Sequence, residues 1–91
     1  MKKIIIKGIV KFTVDEEHPD YQYMDEKQRH GINTYSDTYY FDVYDPVLNP
    51  GGFYAADDVE GMKEYIKNDL ALVAGGGYNT EHIHNVKFRF C

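Results

Sequence analysis

The chain has 91 residues, of which 43% are hydrophobic and 27% charged, and its formal net charge is −5. This length and composition predict one globular domain over residues 1–91 with a small core, and they exclude a fully disordered chain. The single cysteine, Cys91, excludes an internal disulfide, and no apolar run approaches the ~20 residues of a membrane span, so we expect a cytoplasmic protein without membrane association.

The first predicted element is a strand over residues 3–14, KIIIKGIVKFTV. Its even-numbered positions from Ile4 to Val14 are apolar apart from one glycine, which is the period of a strand. The other face carries Ile5 and Ile9 between lysines, so we expect this strand at the centre of the sheet. A homodimer that hides Ile5 and Ile9 is a further possibility, because exposed apolar clusters often mark interfaces.

Residues 15–33 show no sustained period and are predicted as a long acidic loop. Their first part, DEEHPDYQYMDE over residues 15–26, holds six carboxylates and two tyrosines without lysine or arginine. Pro19 and Gly31 interrupt any regular pattern. Loops of this length are uncommon in compact domains unless they are functional or disordered, which makes this segment a candidate surface.

A second strand is predicted over residues 34–44, TYSDTYYFDVY, because aromatic and β-branched residues dominate it. Asp45-Pro46 ends it, since proline cannot donate to a ladder. Residues 49–52, Asn-Pro-Gly-Gly, predict a turn in the connection that follows.

The one clear helix is predicted over residues 58–73. Asp57 is its expected N-cap, and Gly75–Gly77 end it, since glycine suits the left-handed conformation after a helix. Apolar residues recur at spacings of three and four and predict a buried stripe, formed by Val59, Met62, Ile66, Leu70 and Val73.

A third strand is predicted over residues 82–90, HIHNVKFRF. Strict alternation places His82, His84, Val86, Phe88 and Phe90 on the helix side and Ile83, Asn85, Lys87 and Arg89 on the other. The resulting order, β-β-α-β, predicts an α+β fold: a three-stranded, mostly antiparallel sheet in the spatial order 2-1-3, with the helix on one face.

Charge is distributed unevenly along the chain. Residues 1–14 carry four lysines and no acid, whereas residues 15–60 carry twelve acids against two basic residues. Such asymmetry can steer association with a charged partner. Because carboxylates offer arginine and lysine the same charge as phosphates, an acidic protein can occupy a nucleic-acid site.

The sequence therefore predicts a small non-enzymatic module that binds a protein with a basic surface. Inhibition of a nucleic-acid-acting partner, as by phage anti-restriction or anti-CRISPR proteins, is the role that this charge favours. Tyrosines among the acids would supply contact area at low entropic cost. The residues predicted to bind the partner are Asp15, Glu16, Glu17, Asp20, Tyr21, Tyr23, Asp25, Glu26, Asp37 and Asp42.

The alternative is a single-stranded nucleic-acid-binding module that uses the sheet face opposite the helix. Aromatic side chains would stack on bases and cations would hold phosphates, although the net charge of −5 opposes phosphate binding. The residues predicted for this face are Lys7, Lys11, Tyr40, Tyr44, Lys87 and Arg89.

The sequence contains no recognisable catalytic or cofactor motif. His82-x-His84 has the spacing of two ligands on one strand face, but it lacks the further cysteine or histidine pattern of a zinc site. Cys91 has no predicted base beside it, so we expect no enzyme, metal or cofactor.

Overall fold

The computed structural model describes residues 3–55, 58–77 and 80–91. It contains three strands and one long helix, together with two shorter helical elements. In chain order these are β1 (Lys3–Val14), a 3₁₀ helix (Tyr21–Tyr23), α1 (Glu26–His30), β2 (Asn33–Asp42), α2 (Val59–Ala74) and β3 (Ile83–Phe90).

The three strands form one sheet in the order β2-β1-β3, and both outer strands run antiparallel to β1. The predicted fold class and strand order are thus confirmed: this is an α+β fold with α2 packed on one face of the sheet. We call the uncovered opposite face the open face. Among the described residues, no helix has the length and apolar character that crossing a bilayer requires.

The core lies between α2 and the even-numbered residues of β1. Met62, Ile66 and Leu70 are fully buried, as their helical spacing predicts, but Val59 and Val73 are exposed. These two valines begin and end the predicted stripe, and at the C-terminal end Ala74 is buried in place of Val73. The remaining buried apolar residues are Ile6, Val10, Phe12, Phe41, Val43, Ala74 and Ile83.

Both ends of α2 are capped. Asp58 is the N-cap and its carboxylate accepts a hydrogen bond from the Gly61 N–H, whereas the predicted cap, Asp57, lies outside the described residues. At the other end, the N–H groups of Gly75–Gly77 donate to carbonyls of the last turn. Gly76 and Gly77 adopt positive φ angles of 84° and 136°, which favour glycine.

The outer edge of β2 is not covered along most of its length. Its even-numbered residues direct their backbone groups away from β1, as the Asp42 carbonyl does in accepting from the Tyr54 N–H. One of these outward donors, the Thr38 N–H, is occupied by the Asp37 carboxylate at 2.8 Å. The connection after β2 turns as predicted, with the Gly52 N–H donating to the Asn49 carbonyl.

Strand β3 departs from the predicted alternation because it contains a β-bulge. The register shifts between Lys11 and Thr13 of β1, and Asn85 adopts a positive φ of 54°. Ile83, predicted on the open face, is therefore buried against α2. His84, predicted on the helix side, instead pairs with Thr13 and is exposed.

Candidate functional site

We call residues 15–26 the acidic segment, and the structure gives it more order than a loop. Asp15 continues β1, and its carboxylate contacts His84 Nε2 at 2.8 Å and His82 Nδ1 at 3.2 Å. The hydrogen bond with His84, and smaller contributions from the Glu17 N–H and His82, lower the pKa of Asp15. Asp15 therefore ties the start of the acidic segment to β3 and is not free for a partner.

The end of the acidic segment is also used internally. The Asp25 carboxylate accepts from the Gln28 N–H, and the Gln28 side chain accepts from the Asp25 N–H, which forms a capping box for α1. Glu26 lies 3.1 Å from His30 on the exposed side of the same helix. Asp25 thus stabilises the local fold, whereas Glu26 remains accessible.

Tyr21 is partly occupied by an intramolecular contact. The Arg29 guanidinium lies 4.8 Å from the centre of the Tyr21 ring and donates to the Tyr21 and Gln22 carbonyls. Tyr23, in contrast, is 79% exposed. Of the two predicted tyrosines, Tyr23 is the one that can present its ring to a partner.

The contact that anchors the acidic segment is made by His18, which the sequence analysis did not identify. His18 is only 4% exposed, and its Nε2 lies 2.7 Å from the Ala74 carbonyl at the C-terminus of α2. Its Nδ1 accepts from the Asp20 N–H, which leaves Nε2 as the protonated donor. Its only sequence signal is a histidine flanked by acids and proline, which does not reveal a partner 56 residues away.

Glu16, Glu17 and Asp20 are left exposed by this arrangement, together with Tyr23, and we call these four residues the acidic patch. None of the three carboxylates forms an ion pair or side-chain hydrogen bond with any residue in 3–55, 58–77 or 80–91. The Asp20 carboxylate and Pro19 lie against Gly76, immediately after α2.

Electrostatics at this end of α2 reinforce the negative charge. A helix C-terminus carries a partial negative charge, and cationic side chains normally stabilise it by about 0.3–1 kcal/mol. The last turn of α2 has no basic residue, and the Asp20 carboxylate of the acidic patch lies beside it instead. The arrangement creates a concentrated anionic surface and can attract a basic one.

Asp37 and Asp42, which were also predicted to bind the partner, lie apart from the acidic patch. The Asp37 carboxylate accepts from the Thr38 N–H on β2. Asp42 pairs with Lys3, 3.7 Å away, at the start of β1. The acidic segment follows the other end of that 12-residue strand, so about 40 Å separates it from Asp42 at the usual rise per residue.

The predicted nucleic-acid face is brought together in part. Strand pairing places Lys7, Lys11, Tyr40, Lys87 and Arg89 on the open face, all exposed.

Tyr44 is exposed but lies beyond the end of β2, where its N–H donates to the Tyr54 carbonyl. On the same face as the cations, Ile5 is exposed and Ile9 is partly buried.

An aromatic cleft beside β2 was not predicted. The rings of Tyr39, Phe41 and Tyr65 contact one another, and the Tyr39 hydroxyl donates to Asp69 at 2.6 Å. Burial and the Asp69 carboxylate raise the pKa of Tyr39 above its usual value. The cavity has a volume of about 400 Å³ and is lined by Tyr39, Tyr40, Phe41, Asp42, Phe53, Tyr54 and Tyr65.

No metal site is assembled in the part of the chain that the structure describes. There, no group of three or more His, Cys, Asp or Glu residues could hold a metal ion. His82 and His84 face Asp15, and Cys91 is exposed. No protein family, curated protein or solved structure compared with the chain matches it.

Proposed function

We propose that this chain is a small non-enzymatic binding module whose acidic patch blocks a basic, nucleic-acid-binding site on a partner protein. Anti-restriction and anti-CRISPR proteins of phages are the functional class that this proposal fits. The proposal includes a cytoplasmic location, because a chain with one cysteine needs no oxidising compartment.

The supporting observation is the combination of anchoring and unpaired charge. The buried His18 contact fixes the segment to α2, so its exposed carboxylates are held in place before a partner arrives. Preorganisation lowers the entropic cost of binding. Glu16, Glu17 and Asp20 lack cationic partners among the described residues, although Asp20 lies by the negative end of α2. A site for lysine and arginine accounts for that unfavourable placement.

The test reverses the patch charge by combining Glu16→Lys, Glu17→Lys and Asp20→Lys. Binding is measured by biolayer interferometry against a panel of restriction endonucleases and RNA-guided nucleases, and DNA cleavage by each nuclease is followed in parallel. We expect at least one nuclease to be bound and inhibited. The reversal should weaken binding by at least about 100-fold, because charge-assisted contacts are each worth about 1.5–3 kcal/mol.

The matched control reverses three exposed acids elsewhere, Glu60→Lys, Glu64→Lys and Glu81→Lys, and changes the net charge equally. Its binding should fall by less than about tenfold, since only long-range steering is affected. The patch reversal itself should leave the melting temperature unchanged or slightly higher, because lysines suit a helix C-terminus. Equal loss of binding in both variants, or no binding across the panel, contradicts the proposal.

A further inference from the structure

We infer that the open face is a second binding surface and that its ligand is single-stranded nucleic acid. This surface is separate from the acidic patch and does not depend on the function proposed for it. The cations that carry the inference are Lys7, Lys11, Lys87 and Arg89, which strand pairing places on this face.

The pairing of these cations is unfavourable in the free protein. Lys11 lies directly opposite Lys87 on the neighbouring strand, and Arg89 lies opposite Ile9 two pairs further along, on the same face. Like charges directly opposite each other destabilise a sheet. None of the four cations forms an ion pair with any residue that the structure describes. A polyanion lying along the two strands would relieve this repulsion.

The bulge at Asn85 is what assembles the cationic face. Strict alternation from the buried Ile83 would turn Lys87 and Arg89 towards α2, and the extra residue returns them to the open face. The bulge is held by the Asn85 side chain, which donates to Thr13 Oγ1 at 3.0 Å. Bulges often redirect side chains at functional sites.

Polar and aromatic groups on β2 complete the surface. Thr38, Ser36 and Thr34 lie opposite Lys7, Ile9 and Lys11, respectively, and their hydroxyls are hydrogen-bonding groups for phosphate or sugar.

Tyr40 is 63% exposed beside Ile5, so its ring offers a stacking surface. Stacking requires an unpaired base, which favours a single strand over a duplex as the ligand.

The negative net charge of the chain is not carried by this face. Of the described acids, strand pairing places Asp42 at one end of this face and Asp15 continues β1 at the other, where Asp42 contacts Lys3 and Asp15 contacts His82 and His84. The centre of the open face is therefore locally positive, and charge complementarity selects an anionic ligand.

The experiment measures fluorescence anisotropy of a labelled oligothymidine of roughly 12 nucleotides, within the site sizes of comparable binders. Saturable binding is expected at about 50 mM salt, with affinity falling as salt rises. Lys11→Ala combined with Lys87→Ala should weaken binding at least about tenfold and reduce the salt slope by about 1.4, the value for two phosphates on a single strand. The control, Lys63→Ala combined with Lys67→Ala on α2, should change neither quantity.

Two further variants separate stacking and geometry from charge. Tyr40→Ala should weaken binding about fivefold or more. The factor should be the same at low and at raised salt, because stacking is not ionic. Asn85→Gly keeps the positive φ of the bulge and loses only the hydrogen bond to Thr13, so it should retain more binding than Asn85→Val, whose branched side chain opposes that φ.

Four outcomes overturn the inference. They are absence of binding at low salt, equal losses in the two double-lysine variants, tighter binding of the matching duplex, and salt-sensitive self-association in light scattering without oligonucleotide. The last result would assign the open face to the acidic patch of a second copy.

Discussion

Replacing His18 with alanine tests the anchor on which the acidic patch depends. The change removes the hydrogen bond to the Ala74 carbonyl and the one accepted from the Asp20 N–H, both in a region where His18 is 4% exposed. Each such bond is worth about 1 kcal/mol net, and an unsatisfied buried carbonyl adds to the cost. With the lost packing of the ring, we expect His18→Ala to destabilise the protein by about 2–4 kcal/mol.

The assay is urea and thermal unfolding followed by circular dichroism. For a domain of this size 1 kcal/mol moves the melting temperature by roughly 4–8 °C, so a loss of at least about 8 °C is expected. His18→Gln should recover part of the loss, because its amide can still donate to Ala74. His30→Ala, at an exposed histidine, should cost less than about 0.5 kcal/mol.

Amide hydrogen exchange adds a local readout for the same variant. If the anchor fixes the acidic segment, His18→Ala should increase exchange at its protected amides, including the Tyr23 and Met24 N–H groups. A variant that melts within about 2 °C of the wild type, with unaltered exchange there, would refute the anchoring argument.

Three other variants probe packing, pH dependence and a buried hydroxyl. Gly8→Ala should lower the free energy of unfolding in urea by about 1–3 kcal/mol, because the new Cβ would collide with two side chains of α2. Gly51→Ala meets no atom and should be close to neutral. Equal effects of the two substitutions would contradict this packing argument. Asp15→Asn should lower the melting temperature above pH 3.8, and its difference from the wild type should narrow as pH falls through the lowered pKa of the native Asp15 carboxyl. A difference in melting temperature that does not change with pH would exclude a stabilising role for the ionised carboxylate. Tyr39→Phe should cost about 1–2 kcal/mol by loss of the hydrogen bond to Asp69, and an alkaline absorbance titration should lose one tyrosine whose pKa is raised above its usual value; an unchanged titration would count against that assignment.

The elements that the sequence predicts well are those whose burial repeats with a regular period. Strand β1 buries every second residue, and α2 buries Met62, Ile66 and Leu70 on one stripe, so both patterns are visible along the chain. The central position of β1 followed from its apolar content. Together with the preference for right-handed crossovers, these observations predicted the sheet order.

The features that were missed depend on contacts between distant parts of the chain. His18 is held in its buried position by its hydrogen bond to the Ala74 carbonyl. The bulge at Asn85 is fixed by a hydrogen bond to Thr13, 72 residues earlier in the chain. No local pattern encodes either partner. The acidic segment was recognised by composition, but composition could not separate Asp15 and Asp25, which hold the fold, from the exposed Glu16.

The carboxylate that covers the Thr38 N–H has a consequence for behaviour at high concentration. An incoming strand from another molecule would need that donor near the middle of β2, and Asp37 would also place a charge inside the new ladder. Natural sheets use inward-pointing charges in this way against edge-to-edge aggregation. The tyrosine-rich strand β2 can thus remain open to solvent without seeding amyloid-like stacking. Loss of the Asp37 carboxylate would make β2 prone to such stacking.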